Sequence, residues 1–221
     1  MVNYKIFHFN HLQTTCTVLW GADRRCAIVD PGCSGEAERA ALDAFLTQEN
    51  LTPEAILLTH GHPDHICSVA YFHRKYGATV WLNPAERAFL PMFHHFGAAI
   101  KLDVDIDFPT VDAVDGMTIR VGSLSFRVLA TPGHTRGGVC YYDAEEHILL
   151  SGDTLFAGSI GRTDFKGGDY DMLIHSILEQ LVPLPGETLV IPGHGPTTTI
   201  GAERATNPFL EPFNLPDLDI L

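Results

Sequence analysis

Apolar and polar positions divide the chain into two stretches, each running from strands into helices. In the first, Tyr4 to Phe9 alternates and predicts a strand. Apolar runs at Cys16 to Trp20 and Cys26 to Val29 predict two more, joined by a hairpin signal at Gly21-Ala22-Asp23. Asp30-Pro31-Gly32 ends the third strand in a tight turn. Ala37, Ala40, Ala41, Ala44 and Phe45 recur at helical spacing and predict a helix from Glu36 to Gln48, which Thr52-Pro53 breaks. Ala55 to Leu58 is a short buried strand. A helix is expected from His65 to Tyr76, ending at Gly77, a residue that accepts the left-handed cap conformation. Thr79 to Leu82 predicts a strand. The next helix has Asn83 as N-cap and Pro84 at its first position.

Pro91 to Asp112 is less regular and reads as an insertion, either a partly ordered loop or a segment overhanging a site. Short strands follow at Gly116 to Val121, Leu124 to Leu129, Val139 to Tyr142 and Ile148 to Leu150. A helix is expected from Asp169 to about Leu181, then a strand from Thr188 to Ile191 and a short helix from Gly201 to Ala205. Two strand-then-helix halves, with no repeat at residue level, fit an α+β fold of four layers. In this αββα sandwich two sheets pack together under outer helices, as one domain over residues 1–221.

Composition narrows the partners. Hydrophobic residues make up 45% of the chain, enough to fill a core of this size. The formal net charge of −13 argues against nucleic-acid binding, which needs clustered Lys and Arg to neutralise phosphates. The five cysteines are dispersed, with no C-x-x-C pair, so a disulfide framework is not expected and a reducing compartment is. Met1 to Phe9 has no signal-peptide pattern. No apolar run reaches the roughly 18 residues of a membrane helix. A soluble cytoplasmic protein is expected, with neither nucleic acid nor membrane as partner.

The chemistry concentrates in Thr59-His60-Gly61-His62-Pro63-Asp64-His65, at the turn from the buried strand into a helix. Neutral imidazole and carboxylate suit zinc, iron and related divalent metals. In extended backbone His60 and His62 point the same way, while Asp64 and His65 open the helix and point elsewhere. The stretch can therefore offer one pair of ligands to each of two metals. A plainer role for Asp64 is helix N-cap. Three more candidates each follow an apolar strand and a glycine: His134, Asp153 and His194. Strand ends on one sheet edge converge, and loops there carry function. His94 and His95 are weaker metal candidates, because neighbouring side chains diverge. Cys67 reads as a packed small hydrophobe.

In order and spacing, His60-x-His62-x-Asp64-His65 followed by His134, Asp153 and His194 resembles the metallo-β-lactamase superfamily, as does Asp30-Pro31-Gly32. The resemblance implies that His60, His62 and His134 bind one metal and Asp64, His65 and His194 a second, with Asp153 bridging them. Zinc is the first expectation; iron and manganese are also compatible. Zinc β-lactamases of this superfamily commonly place Cys where this chain has Asp153, which speaks against antibiotic hydrolysis. Ser151-Gly152-Asp153-Thr154-Leu155-Phe156 and Gly161-Arg162-Thr163-Asp164-Phe165 are similar to the glyoxalase II branch of hydroxyacylglutathione hydrolases. The tail Glu203 to Phe209 resembles a compact bacterial subgroup without the helical C-terminal domain.

This branch implies hydrolysis of a small-molecule thioester, of glutathione or another thiol, through a metal-bound hydroxide. Asp64 and Asp153 would be catalytic, and Arg162 would contact substrate. Thr59 and Thr154 are expected to orient the imidazoles. The same Gly161 to Phe165 run also resembles persulfide dioxygenases, which hold one iron at positions matching His60, His134 and Asp153. That oxidoreductase is the alternative.

Overall fold

The structure, a computed structural model, describes residues 2–211; the remaining positions of the expected domain, 1 and 212–221, lie outside the described residues. The chain opens with strands β1 (Asn3–Phe9), β2 (Thr14–Trp20) and β3 (Arg25–Val29), antiparallel in sequence. Helix α1 (Gly35–Gln48) crosses to β4 (Thr52–Leu57), parallel to β3. Helices α2 (Pro63–Ile66) and α3 (Val69–Tyr76) lead to β5 (Thr79–Leu82). Helices α4 (Pro84–Arg87) and α5 (Leu90–Ala99) lead to β6 (Val111–Asp112). The six strands form one sheet in sequence order.

A second sheet of six strands has the order β14-β13-β10-β9-β8-β7. Its members are β7 (Thr118–Val121), β8 (Leu124–Ala130), β9 (Val139–Asp143), β10 (Ile148–Gly152), β13 (Leu189–Pro192) and β14 (Thr198–Thr199). Strands β11 (Leu155–Phe156) and β12 (Ser159–Ile160) form a small hairpin after β10. Helix α6 (Tyr170–Ser176) continues as a wider π-type turn through Ile177–Leu181, and α7 (Ile200–Thr206) closes the described chain.

Period-two alternation makes these sheets into layers. In β3 and β4, Ala27, Leu57 and Val29 face the second sheet, packing with Phe126, Val128, Tyr141 and Leu150. Their neighbours Ile28 and Ile56 face outward, under Leu42 and Leu46 of α1 and Phe72 of α3. On the other side Leu149 and Val190 pack under Leu173, Ile177 and Leu181. Each central strand is apolar on both faces because each face is covered. This is the expected αββα sandwich.

Three expectations change. Helix α1 ends at Gln48 as expected, but the strand expected from Ala55 already begins at Thr52 and takes Pro53 into β4. Pro53 has no N–H to give the ladder, and the β3–β4 register slips beside its partner Cys26. The helix expected from His65 to Tyr76 is split at Cys67 and Ser68. There Ser68 donates its N–H to Pro31 and its hydroxyl to the Cys33 carbonyl, pinning the break to the loop after β3. The insertion begins as helix α5 instead of a loop. Gly97 lets α5 approach the following segment, since a Cβ there would stand 2.8 Å from a methyl of Val104.

Strands β8, β10 and β13 run in the same direction, so their C-terminal ends share one edge. The end of β4 is tied to that edge: Val139 N–H donates to the Thr59 carbonyl and the buried Tyr141 hydroxyl to the Leu58 carbonyl. Gly193 accepts from Thr15 N–H in the same region.

Candidate metal centre

The four strand ends bring all seven predicted ligands together. His60 Nε2 and His134 Nε2 each lie 3.0 Å from His62 Nδ1, so three nitrogens converge on one point. Beside them, Asp64, His65 and His194 form a second group whose donor atoms all lie within 4.8 Å of one another. Asp153 stands between the groups. Its Oδ2 is 3.5 Å from His134 Nε2 and 3.7 Å from His194 Nε2, while Oδ1 is 3.5 Å from His65 Nε2. Asp64 is not a helix cap: α2 starts from His62, and the Asp64 carboxylate lies 3.3 Å from His194 Nε2. His94 takes no part, because its Nδ1 faces the Val104 carbonyl at 2.6 Å, and neither His94 nor His95 belongs to a ligand cluster among the described residues.

The outer nitrogens fix the tautomers. Asp30 Oδ2 accepts from the Thr59 hydroxyl at 2.6 Å and from His65 Nδ1 at 2.9 Å. The Thr59 hydroxyl spends its proton on Asp30, so at 3.0 Å from His60 Nδ1 it accepts that N–H. His134 Nδ1 donates to the Arg162 carbonyl and His194 Nδ1 to the Leu12 carbonyl. In all four rings Nδ1 is held by an outer acceptor and Nε2 faces inward, the orientation metal ligation requires. Thr59 thus orients an imidazole as expected. Thr154 does not: its hydroxyl pairs with Thr131 at 2.9 Å.

Charge is arranged the same way. Burial, with neighbouring imidazoles adding to it, holds His60 well below the ordinary histidine value and His62 down at about 3. Burial also lowers His134. These three rings are neutral near pH 7, the form in which imidazole can ligate a metal. Burial opposes protonation of His65, but the Asp64, Asp153 and Asp30 carboxylates outweigh it and push its pKa up to about 10. His194 is raised against its burial by Asp64 and Asp153. The second group therefore calls for positive charge. Moreover, His65 Nε2 and Asp153 Oδ1 are buried polar atoms with no hydrogen-bond partner, a cost of about 1–3 kcal/mol each. A cation between them removes that cost, so these residues fit a divalent metal.

The centre opens into a cavity of about 690 Å³, lined by His62, Asp64, His134, Asp153 and His194 on one side and by apolar side chains of α5 elsewhere. Arg162, expected as a substrate contact, is in the cavity lining, 75% exposed and paired with Asp164.

Two residues escaped the reading of the sequence. Asp30 looked like a turn former; its positive φ of 48° bends the chain so that the carboxylate faces back into the site. Glu86, 1% exposed, accepts Gly61 N–H through one oxygen and Gly137 N–H through the other, at 2.9 and 2.7 Å. It clamps together the loops carrying His60, His62 and His134. The turn signal at Asp30 was visible; a single Glu on a one-turn helix offers none.

The family model of the metallo-beta-lactamase superfamily matches residues 10–194, from the loop after β1 to the last ligand. The chain belongs to the metallo-β-lactamase superfamily. Among superfamily members, it is 35% identical to the hydroxyacylglutathione hydrolase GloC of Haemophilus influenzae, over 95% of this chain and 98% of that one. Its fold is similar to that of BLEG-1, a B3 metallo-beta-lactamase, with TM-score 0.86 and 41% identity over 94% of this chain and 99% of the other. It is also similar to TTHA1623 in a di-iron-bound form, with TM-score 0.83 and 37% identity over 93% and 100%. Family membership and the His/Asp clusters together imply a divalent metal site. No helix among the described residues is long and apolar enough to cross a membrane.

Proposed function

We propose that this protein is a two-metal thioester hydrolase of the hydroxyacylglutathione hydrolase type. One divalent cation is held by His60, His62 and His134, a second by Asp64, His65 and His194, and Asp153 is shared by both. The observation that carries this reading is the Asp153 carboxylate, whose two oxygens stand between the imidazole groups within 3.7 Å of His65, His134 and His194. The likeness to GloC supports the thioester substrate. Imidazole and carboxylate ligands favour zinc, manganese fits the same donors, and the di-iron form of TTHA1623 keeps iron open.

Divalent cations held there would supply Lewis acidity and would acidify a water. The chain's own residues do the rest. Asp153 and Asp64 both present carboxylate to the cavity. Asp64, fixed by a 2.7 Å hydrogen bond from the Thr14 hydroxyl, takes the proton as the water oxygen joins the thioester carbonyl carbon. The C–S bond then breaks, and sulfur leaves with the electron pair as a thiolate. A thiolate is a good leaving group, so no strong general acid is needed. Phe93 and Phe165, whose rings lie 5.0 and 5.2 Å from that of His62, limit water on the cavity side. Arg162 offers its charge to an acidic thiol such as glutathione. The dispersed, buried thiols of all five cysteines support a cytoplasmic setting.

A second reading, cleavage of a β-lactam amide by the same centre, is favoured by the likeness to BLEG-1. The deciding experiment combines metal analysis of protein purified without added metal with three assays: S-lactoylglutathione hydrolysis, hydrolysis of a chromogenic cephalosporin, and oxygen uptake on glutathione persulfide. Two metals per chain with thioester cleavage is the expected result. Cephalosporin cleavage alone makes the second reading correct. One iron per chain with oxygen uptake overturns both in favour of the dioxygenase.

A further inference from the structure

Helix α5 buries Leu90 in the core and also turns apolar side chains to the catalytic cavity. Met92 and Phe96 of α5 and Ile100, which caps it, are spaced four residues apart and line the cavity, Ile100 also packing against the core. Phe96 is 54% exposed, although burying a phenylalanine is worth about 1.5–3 kcal/mol. An apolar stripe in a concave site beside metal ligands has one economical explanation, an apolar group on the substrate. The same cavity takes in Arg162 and Lys166 from the loop before α6. Arg162 is partly neutralised by Asp164, whereas Lys166 makes no ion pair among the described residues. Positive charge at the loop suits the carboxylates of an acidic thiol, which leaves the α5 wall to the acyl group.

We propose that the acyl group cleaved here is apolar and about as large as a hexanoyl chain or a phenylacetyl group, seated on Met92, Phe96 and Ile100. The thiol is anionic and reaches Lys166 and Arg162. A short hydroxylated acyl group such as lactoyl leaves the α5 wall uncovered and buries its hydroxyl against carbon. The proposal rests on the thioesterase reading and names its substrate class.

The test uses metal-loaded protein and glutathione thioesters of lactate, hexanoate and phenylacetate, together with the hexanoyl thioester of N-acetylcysteamine, which lacks a carboxylate. The apolar acyl groups should exceed lactoyl in kcat/KM by about tenfold or more, and Phe96→Ser should lower the hexanoyl-to-lactoyl ratio about tenfold. Lys166→Ala should weaken hexanoylglutathione about fivefold relative to the N-acetylcysteamine thioester. Cleavage with lactoyl preferred, or a ratio indifferent to Phe96→Ser, overturns the acyl assignment while the thioesterase reading stands. Cleavage of none of the thioesters overturns both.

Discussion

His65 Nδ1 lies 2.9 Å from Asp30 Oδ2, with both side chains nearly inaccessible to water. This contact keeps the imidazole proton on the outer nitrogen and the Nε2 lone pair toward the second ligand group. Asn at position 30 tolerates the left-handed backbone there. However, its amide nitrogen only donates, so it accepts from neither the Thr59 hydroxyl nor His65 Nδ1. His65 then shifts its proton to Nε2, the atom a metal needs. Asp30→Asn should lower affinity for the second metal about 10–100-fold, read by competition with a chromogenic chelator. Unchanged affinity at both sites would remove Asp30 from the centre.

Glu86 makes a different prediction, because it clamps backbone rather than ligands. A glutamine can accept only one of the two N–H groups of Gly61 and Gly137 and presents an amide N–H to the other. The site is fully buried, so Glu86→Gln should cost about 1–3 kcal/mol in urea unfolding of the metal-free protein. The metal-free state matters, since loss there cannot come from a missing cation. Wild-type stability in that state would reduce Glu86 to a bystander.

These two residues also mark where sequence stops being legible. The cluster of seven candidate ligands was legible because each stands just beyond an apolar strand and a turn, a pattern repeated at the ends of β4, β8, β10 and β13. The sandwich was readable because strand and helix periods alternate along the chain. Glu86 carries neither period, and its importance comes from two backbone N–H groups 25 and 51 residues away. Helix α5 was obscured for a related reason. Its apolar spacing at Met92, Phe96 and Ile100 was present, but Pro91 and the polar pair His94-His95 masked it. Pro53 misled because a proline in a strand is tolerated only where the register gives way, which pairing alone reveals.

The outer layer has its own pH-dependent tie. Asp43 of α1 accepts hydrogen bonds from Lys75, Tyr71 and Tyr76 of α3, at 2.5 to 2.6 Å. Burial would raise the Asp43 pKa, but these three partners outweigh it and hold the carboxyl below its usual 3.8. A carboxyl lowered on folding stabilises the protein above its unfolded value and loses that contribution as pH falls through the folded one. Asp43→Asn should therefore cost roughly 1 kcal/mol at pH 7, modest because the cluster is partly solvated. The gap to wild type should close as pH drops from 3.8 downward. A gap that stays constant with pH would mean that the charge contributes nothing.

Removing a candidate metal ligand should be far more damaging to turnover than to folding. Asp153→Ala and His60→Ala should each lower thioester hydrolysis by more than about 100-fold, with far-UV circular dichroism unchanged. Chelation of the wild-type protein should abolish activity, and added zinc should restore it. Retained turnover in both variants would sink the two-metal assignment.

Gly193 offers a test that leaves every ligand in place. A Cβ at this position would stand 2.2 Å from Asp153 Oδ1 and 2.8 Å from His65 Cε1. No rotamer relieves that clash, because a methyl group has none. Either the His194 loop moves outward or Asp153 swings away from His65. Both outcomes separate the shared carboxylate from the second ligand group and spare His60, His62 and His134. Gly193→Ala should therefore bind one metal nearly as tightly as wild type and the other at least about tenfold more weakly, with activity falling alongside the weaker site. Stoichiometry by elemental analysis across a metal titration separates the two sites. If both metals bind as in wild type, the backbone absorbs the methyl group and Gly193 is not what holds Asp153 in its shared position.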